Sequence, residues 1–103
     1  MRVGTPARFN GLERAAILGV VVPVATTVRS RLLGLALIRR ERAGAGLLIP
    51  RCRSVHTFGM RFPIDVLFLD EADRVIELRR AVPPCRLIRC PGAMAVLELP
   101  SIR

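Results

Sequence analysis

The stretch that most restricts the fold is Ile64-Asp65-Val66-Leu67-Phe68-Leu69, followed by Asp70-Glu71-Ala72-Asp73 and the returning run Arg74–Leu78. The first run is apolar and partly β-branched, which suits a strand. The four-residue link is acidic and turn-forming, and the second run is again strand-like. Together they predict an antiparallel hairpin over residues 64–78. The period of two along a strand places Asp65 on one face with Leu67 and Leu69, and Ile64, Val66 and Phe68 on the other.

The rest of the chain is punctuated in the same way. Residues 1–11 read as a flexible lead-in, extended at Pro6 and ending in the turn signal Asn10-Gly11. Short strands are predicted around Arg14–Leu18 and Val20–Val24, with Pro23 at an edge or bulge. Thr26 or Thr27 caps a helix running to about Leu37, on which Val28, Leu32 and Leu35 share one face while Arg29 and Arg31 point elsewhere. Gly34 inside that helix costs about 1 kcal/mol against Ala, which signals a close contact or an early end. Leu47–Ile49 is a buried strand stopped by Pro50. Residues 85–91 read as irregular, and Ala93–Leu99 is a last strand closed by Pro100. At 103 residues this makes one domain, residues 1–103. The expected fold is mainly β, a small antiparallel β-sandwich or half-barrel of jelly-roll type with one short α-helix.

The run GLLIPRCRSVHTFGMRFPIDVLFLDEADRVIEL, with the later AMAVLELP and the helix segment ATTVRSRLLGL, resembles the bacterial and archaeal family catalogued as domain of unknown function 192. The likeness extends from about Val20 to Pro100 and is most specific over His56–Asp65, in a subgroup carrying HTFGM and PID. It implies a compact, mostly β fold of jelly-roll type with one helix, and it implies no activity. Gly59 stands where many relatives carry Trp. Relatives also run on past LELP into another turn and strand, so an open sheet edge is expected here, a surface suited to pairing two copies.

Composition removes several functions. All 17 basic residues are Arg, so lysine Schiff-base and lysine general-base chemistry are excluded. There is no Trp or Tyr and only four Phe, which weakens readings that need stacking on bases or sugars. The net charge of +9 favours non-specific attraction to nucleic acid, but no nucleic-acid motif is present and specific recognition is not expected. No glycine pattern matches a phosphate-binding loop. The apolar run Ala15 to Ala25 imitates a signal peptide. Glu13 at its edge, Pro23 near its end and the strand-like Val20-Val21-Val22 argue against one, and the run is too short to span a bilayer. A cytoplasmic protein without a membrane span is expected.

The chemistry-bearing residues gather between Cys52 and Asp65. His56 is the only histidine, and Asp65 is a carboxylate in an apolar strand that must find a donor. Asp65 is expected either to orient His56, as in many catalytic sites, or to pin the Gly59–Pro63 loop with His56 completing the network. Cys52 precedes His56 by four residues, and on an extended chain the two stand more than about ten ångströms apart, so a dyad needs a bend between them. The favoured reading is a non-catalytic binding or accessory module. Its apolar pocket would hold His56, Phe58, Met60 and Asp65, with Arg51, Arg53 and Arg61 as anion-binding groups at the rim and a small molecule or peptide as ligand. The alternative is a hydrolase-like or metal-assisted enzyme using His56, Asp65 and Cys52. An arginine-driven nucleic-acid binder ranks third. No cofactor is implied. Cys52, His56, Cys85 and Cys90 offer four potential zinc ligands, but the cysteine spacing is not that of a zinc site.

Overall fold

A computed structural model describes residues 6–102. Among them eight strands form in antiparallel sheets with one α-helix, and the arrangement does not close into a barrel. β1 (Arg14–Ile17) and β2 (Val20–Pro23) make a hairpin. Its two-residue link, Leu18-Gly19, has positive φ at both positions, the geometry that matches strand twist in tight hairpins. α1 (Val28–Leu33) follows, then β3 (Leu47–Pro50), β4 (Ser54–His56), β5 (Ile64–Leu69), β6 (Val75–Val82), β7 (Leu87–Arg89) and β8 (Ala95–Pro100). The main sheet has the order β3-β8-β5-β6, and β4 pairs with β7 in a separate ribbon. Of the lead-in, residues 1–5 lie outside the described residues, and Ala7–Phe9 forms a 3-10 turn that buries Phe9.

Each face of the main sheet carries its own apolar cluster. Ile64, Val66 and Phe68 of β5 join Leu47, Ile49 and Val96 in the larger one. Leu69 and Leu97 join Ile17 and Val22 of the β1–β2 hairpin in the smaller one, with Leu67 and Leu99 packed against it. The alternation expected for Ile64–Leu69 is therefore used on both sides. β8 lies between β3 and β5 and hydrogen-bonds to both, so the final strand is central to the sheet. The sheet's edge strands are β3 and β6, and on β6 Val75, Ile76 and Leu78 are exposed.

α1 differs from the sequence reading in length and in facing. Thr27 caps it: its Oγ1 accepts from the Ser30 N–H at 3.1 Å, and its own N–H donates to Ser30 Oγ at 3.1 Å. It ends at Leu33, short of Leu37, because Gly34 takes φ 52° and ψ −127°. That conformation opens a reverse turn closed by the Ala36 N–H on the Leu33 carbonyl at 2.8 Å. Val28 and Leu32 are 75% and 64% exposed, so of the expected apolar face only Leu35, beyond the helix end, packs inward, and Ser30 is the buried residue of the helix. A single short helix held by its cap and its terminal turn needs no apolar stripe along its whole length. Residues 85–91, read as irregular, contain β7, paired to β4 through Ser54–Arg89, Val55–Ile88 and His56–Leu87. Its three residues are too few to show a period.

Asp65 has a defined structural task. The pairing of β5 with β6 shifts register between Ile64 and Val66, which leaves a bulge at Ala81, where φ is +50°. Asp65 Oδ1 accepts from the Ala81 N–H at 2.8 Å and from Ser101 Oγ–H at 2.6 Å. Ser101 N–H in turn donates to the Pro63 carbonyl. The carboxylate thus joins the bulge, the chain after β8 and the loop before β5. Removing an acceptor shared by two such donors costs about 2–3 kcal/mol. Asp65→Ala should lower the urea midpoint accordingly and leave the NMR signals of the His56 ring in place. A shift of those signals would show that the two residues communicate.

Candidate functional site

His56 ends β4, with its ring stacked on Phe58 at 5.6 Å between centroids. Its Nε2 lies 2.8 Å from the Leu32 carbonyl oxygen at the end of α1. A carbonyl only accepts, so Nε2 carries the proton. In the neutral ring Nδ1 is then a bare acceptor, and this atom is buried without a partner among the described residues.

A second unpartnered acceptor lies in the same recess. β8 reads Val96-Leu97-Glu98-Leu99, and the strand period puts Glu98 on the face of Val96, toward the larger core. Glu98 is 3% exposed. The Leu35 N–H donates to its carboxyl, while Oε1 has no partner among the described residues. Burial pushes the Glu98 carboxyl up to about 7, against the opposing pull of the Leu35 bond and the Arg8 charge. Gly34 makes room for it. A Cβ built at position 34 would stand 2.7 Å from Glu98 Oε1, and the backbone there has a φ that side chains resist.

These groups line one cavity of about 220 Å³, roofed by the end of α1 and floored by β3, β4 and β8. Cys52, His56 and Glu98 bring its chemistry, Leu32, Ile49 and Leu87 its apolar wall. Arg31 borders it too, with its guanidinium donating to the Pro50 and Arg51 carbonyls at 2.5 and 3.0 Å. The Cys52 thiol donates to the Ser54 carbonyl at 3.1 Å. Burial pushes this thiol up, outweighing the lowering by the Ser54 bond and by Arg31, so at neutral pH it is a thiol and not a thiolate.

Of the residues singled out from sequence, His56 and Cys52 are brought together. Asp65 is committed to Ala81 and Ser101 and is not among the residues lining this cavity. Met60 is buried in the larger core, and Phe58 is 54% exposed and covers the outer side of the imidazole. Arg51 and Arg53 line a separate recess with Ala93 and Met94, and Arg61 faces another cleft. The three cysteines are free, with Cys52 half-buried, Cys85 exposed and Cys90 buried. Among the described residues no three His, Cys, Asp or Glu side chains gather as metal ligands, so the four candidate zinc ligands do not converge. Glu98 was missed. The signal for it was the one that marked Asp65, a carboxylate inside an apolar strand.

The fold and this cavity define a small antiparallel β domain with a buried acid and an imidazole in a recess beside its helix. The chain belongs to domain of unknown function 192, described as an uncharacterized ACR, which it matches over residues 12–102. Two crystal structures share the fold. One is of a Sinorhizobium meliloti protein described as a candidate transcription regulator (TM-score 0.69, 21% identity, 85% of this chain and 78% of that one). The other is of a Novosphingobium aromaticivorans protein of unknown function (TM-score 0.63, 17% identity, 96% of this chain and 89% of that one). No curated protein matches the chain. No helix among the described residues is long and apolar enough to cross a membrane.

Two measurements check this geometry. Because the folded state holds the Glu98 proton more tightly than the unfolded chain, the stability tied to protonated Glu98 is complete below about pH 4.5. It is lost as pH rises through about 7. At about 1.4 kcal/mol per decade of proton affinity the loss is roughly 3 kcal/mol. Arg8, Arg31, Cys52 and His56 are the other ionisable groups around this carboxyl. Urea midpoints at acid and mildly alkaline pH should show this fall in the native chain and not in Glu98→Gln. Separately, ring-nitrogen NMR of the single histidine should show the Nε2–H tautomer of the neutral ring.

Proposed function

We propose that the domain is a non-catalytic binding module whose ligand site is the His56–Cys52–Glu98 cavity. The observation that carries the reading is the pair of buried, unpartnered acceptors, His56 Nδ1 and Glu98 Oε1, on side chains that line one recess. Unpaired polar atoms of this kind cost about 1–3 kcal/mol each, and a bound donor recovers that. The cavity, at about 220 Å³, is below the usual range for cofactors and drug-sized ligands. The fitting ligand is a small molecule with two hydrogen-bond donors and an apolar flank, of the diol or amino-alcohol kind. The apolar flank would lie against Leu32, Ile49 and Leu87.

The enzymatic alternative has less support. It called on His56, Asp65 and Cys52 acting together, and Asp65 is spent on the β6 bulge while the Cys52 thiol stays protonated. A nucleic-acid role draws on the description of the Sinorhizobium meliloti protein and on the arginine content. That likeness is one of fold alone, and Arg31, which borders this cavity, donates to the Pro50 and Arg51 carbonyls.

A screen of small diols, amino alcohols and monocarboxylates against the isotope-labelled chain tests the proposal. Binders from the first two classes should move the His56 Nδ1 resonance. His56→Ala loses one hydrogen bond, about 1 kcal/mol, and should fold while binding none of them. Unfolding of His56→Ala, or binders that leave Nδ1 unmoved, would overturn the reading and leave His56 a structural residue.

A further inference from the structure

Five arginines from four separate segments converge on a cleft that the His56 cavity does not include. Arg8 comes from the 3-10 turn of the lead-in, Arg29 from the first turn of α1, Arg39 and Arg42 from around the 3-10 turn at residues 40–42, and Arg61 from the loop before β5. The cleft measures about 490 Å³, and among the described residues no acidic side chain lines it. Its apolar wall is Leu37 and Ile38.

Three of these charges, those of Arg29, Arg39 and Arg61, are not offset by a salt bridge among the described residues. The two salt bridges among the described residues, Arg74–Asp70 and Arg79–Glu77, both lie on the β5–β6 hairpin. Arg29, Arg39 and Arg61 are exposed and have no acidic partner among the described residues. Arg8 is fixed in place: its Nε donates to the Gly34 carbonyl at 3.2 Å and its Nη2 to the Ala36 carbonyl. Burial and the neighbouring Arg29 charge both work against protonated Arg8, and the Glu98 charge works for it. A concave surface of one sign concentrates field and draws in counter-charge. An all-Arg composition scatters guanidinium groups over a surface, but it does not by itself set five around one hollow with no acid between them.

We infer that this cleft is a binding site for a compact oligo-anion, a molecule presenting a di- or triphosphate group. Guanidinium forks engage phosphate oxygens two at a time, and several forks facing one hollow suit adjoining phosphates. The concavity favours a small ligand over a nucleic-acid strand, and the lining has no aromatic ring on which bases could stack. The organic part of the ligand would rest on Leu37 and Ile38. This site shares no functional residue with the His56 cavity, so either can fail without the other.

Calorimetric titration of the full chain with inorganic phosphate, pyrophosphate and tripolyphosphate, at about physiological salt, tests the inference. One site per chain is expected, with affinity rising at least about tenfold from phosphate to pyrophosphate. Arg29→Ala and Arg61→Ala should each weaken pyrophosphate binding about tenfold. The paired change Arg79→Ala with Arg80→Ala, on the remote hairpin, should leave it unaltered, as should His56→Ala. All five positions are exposed or half-buried, so the variants are expected to fold, and circular dichroism confirms that before titration. Equal loss in the Arg79/Arg80 pair would show general surface charge. So would several weak sites per chain, or tighter binding of an oligonucleotide than of tripolyphosphate, with a steep salt slope. Each of these overturns the inference.

Discussion

The carboxyl of Glu98 sets the conditions that its neighbours meet. It sits on the core face of β8, between β3 and β5, where a charge is most expensive to bury. Its surroundings are arranged accordingly. The residue after α1 is a glycine because any Cβ there would meet the carboxyl, and the turn that glycine opens points the Leu35 N–H at it. Arg8 reaches across the same turn to hold its carbonyls. The other side of β8 imposes a similar demand: a Cβ at Gly46 would run into the Glu98 carbonyl oxygen, so the approach to β3 also requires glycine. The early end of the helix thus accommodates the Glu98 carboxyl, and Arg8 fastens the lead-in to the same turn, whereas the glycine before β3 answers to the β8 backbone and not to the acidic side chain.

Such a residue is not explained by stability. An apolar side chain of similar size on the Val96 face would remove both the desolvation cost and the unpartnered Oε1. The carboxyl instead titrates near neutrality, at about 7. A perturbed group of this kind in a recess makes that recess a candidate site. Asp65 gives the contrast within the same sheet. It is equally a carboxylate in an apolar strand, yet both its donors are supplied by the chain, and it fixes a bulge. The sequence shows two acids in similar settings, and only the count of donors available to each separates frame from site.

That difference explains how far the residues could be read without coordinates. The β5–β6 hairpin, the strands β1 and β2 and the Leu47–Ile49 strand follow from alternation and turn chemistry, which are local, whereas the helical pattern runs on to about Leu37 and Gly34 signals only a close contact or an early end. Asp65 was correctly required to have donors, but Ala81 and Ser101 are 16 and 36 residues away. Nothing local favours them over His56. The outward facing of Val28 and Leu32 depends on what covers a short helix, which a helical period does not encode. β7 is held by its pairing with β4 and by Thr57, whose Oγ1 donates to the Pro83 carbonyl and accepts from the Arg86 N–H, all contacts long in sequence.

Arg8 connects the two hollows of the molecule. Its guanidinium lines the arginine cleft, and its charge is one of the influences that favour ionised Glu98 in the other cavity. A phosphate group seated against Arg8 would offset that charge and so raise the proton affinity of Glu98. By linkage, ionising Glu98 would weaken the hold on the phosphate by the same factor. The coupling requires no movement of the sheet, because the turn at residues 33–36, to which Arg8 is bonded, is the same turn that leans on the carboxyl. If the cleft holds a phosphate group as inferred, Arg8 alone would tie its occupancy to the charge of a buried acid.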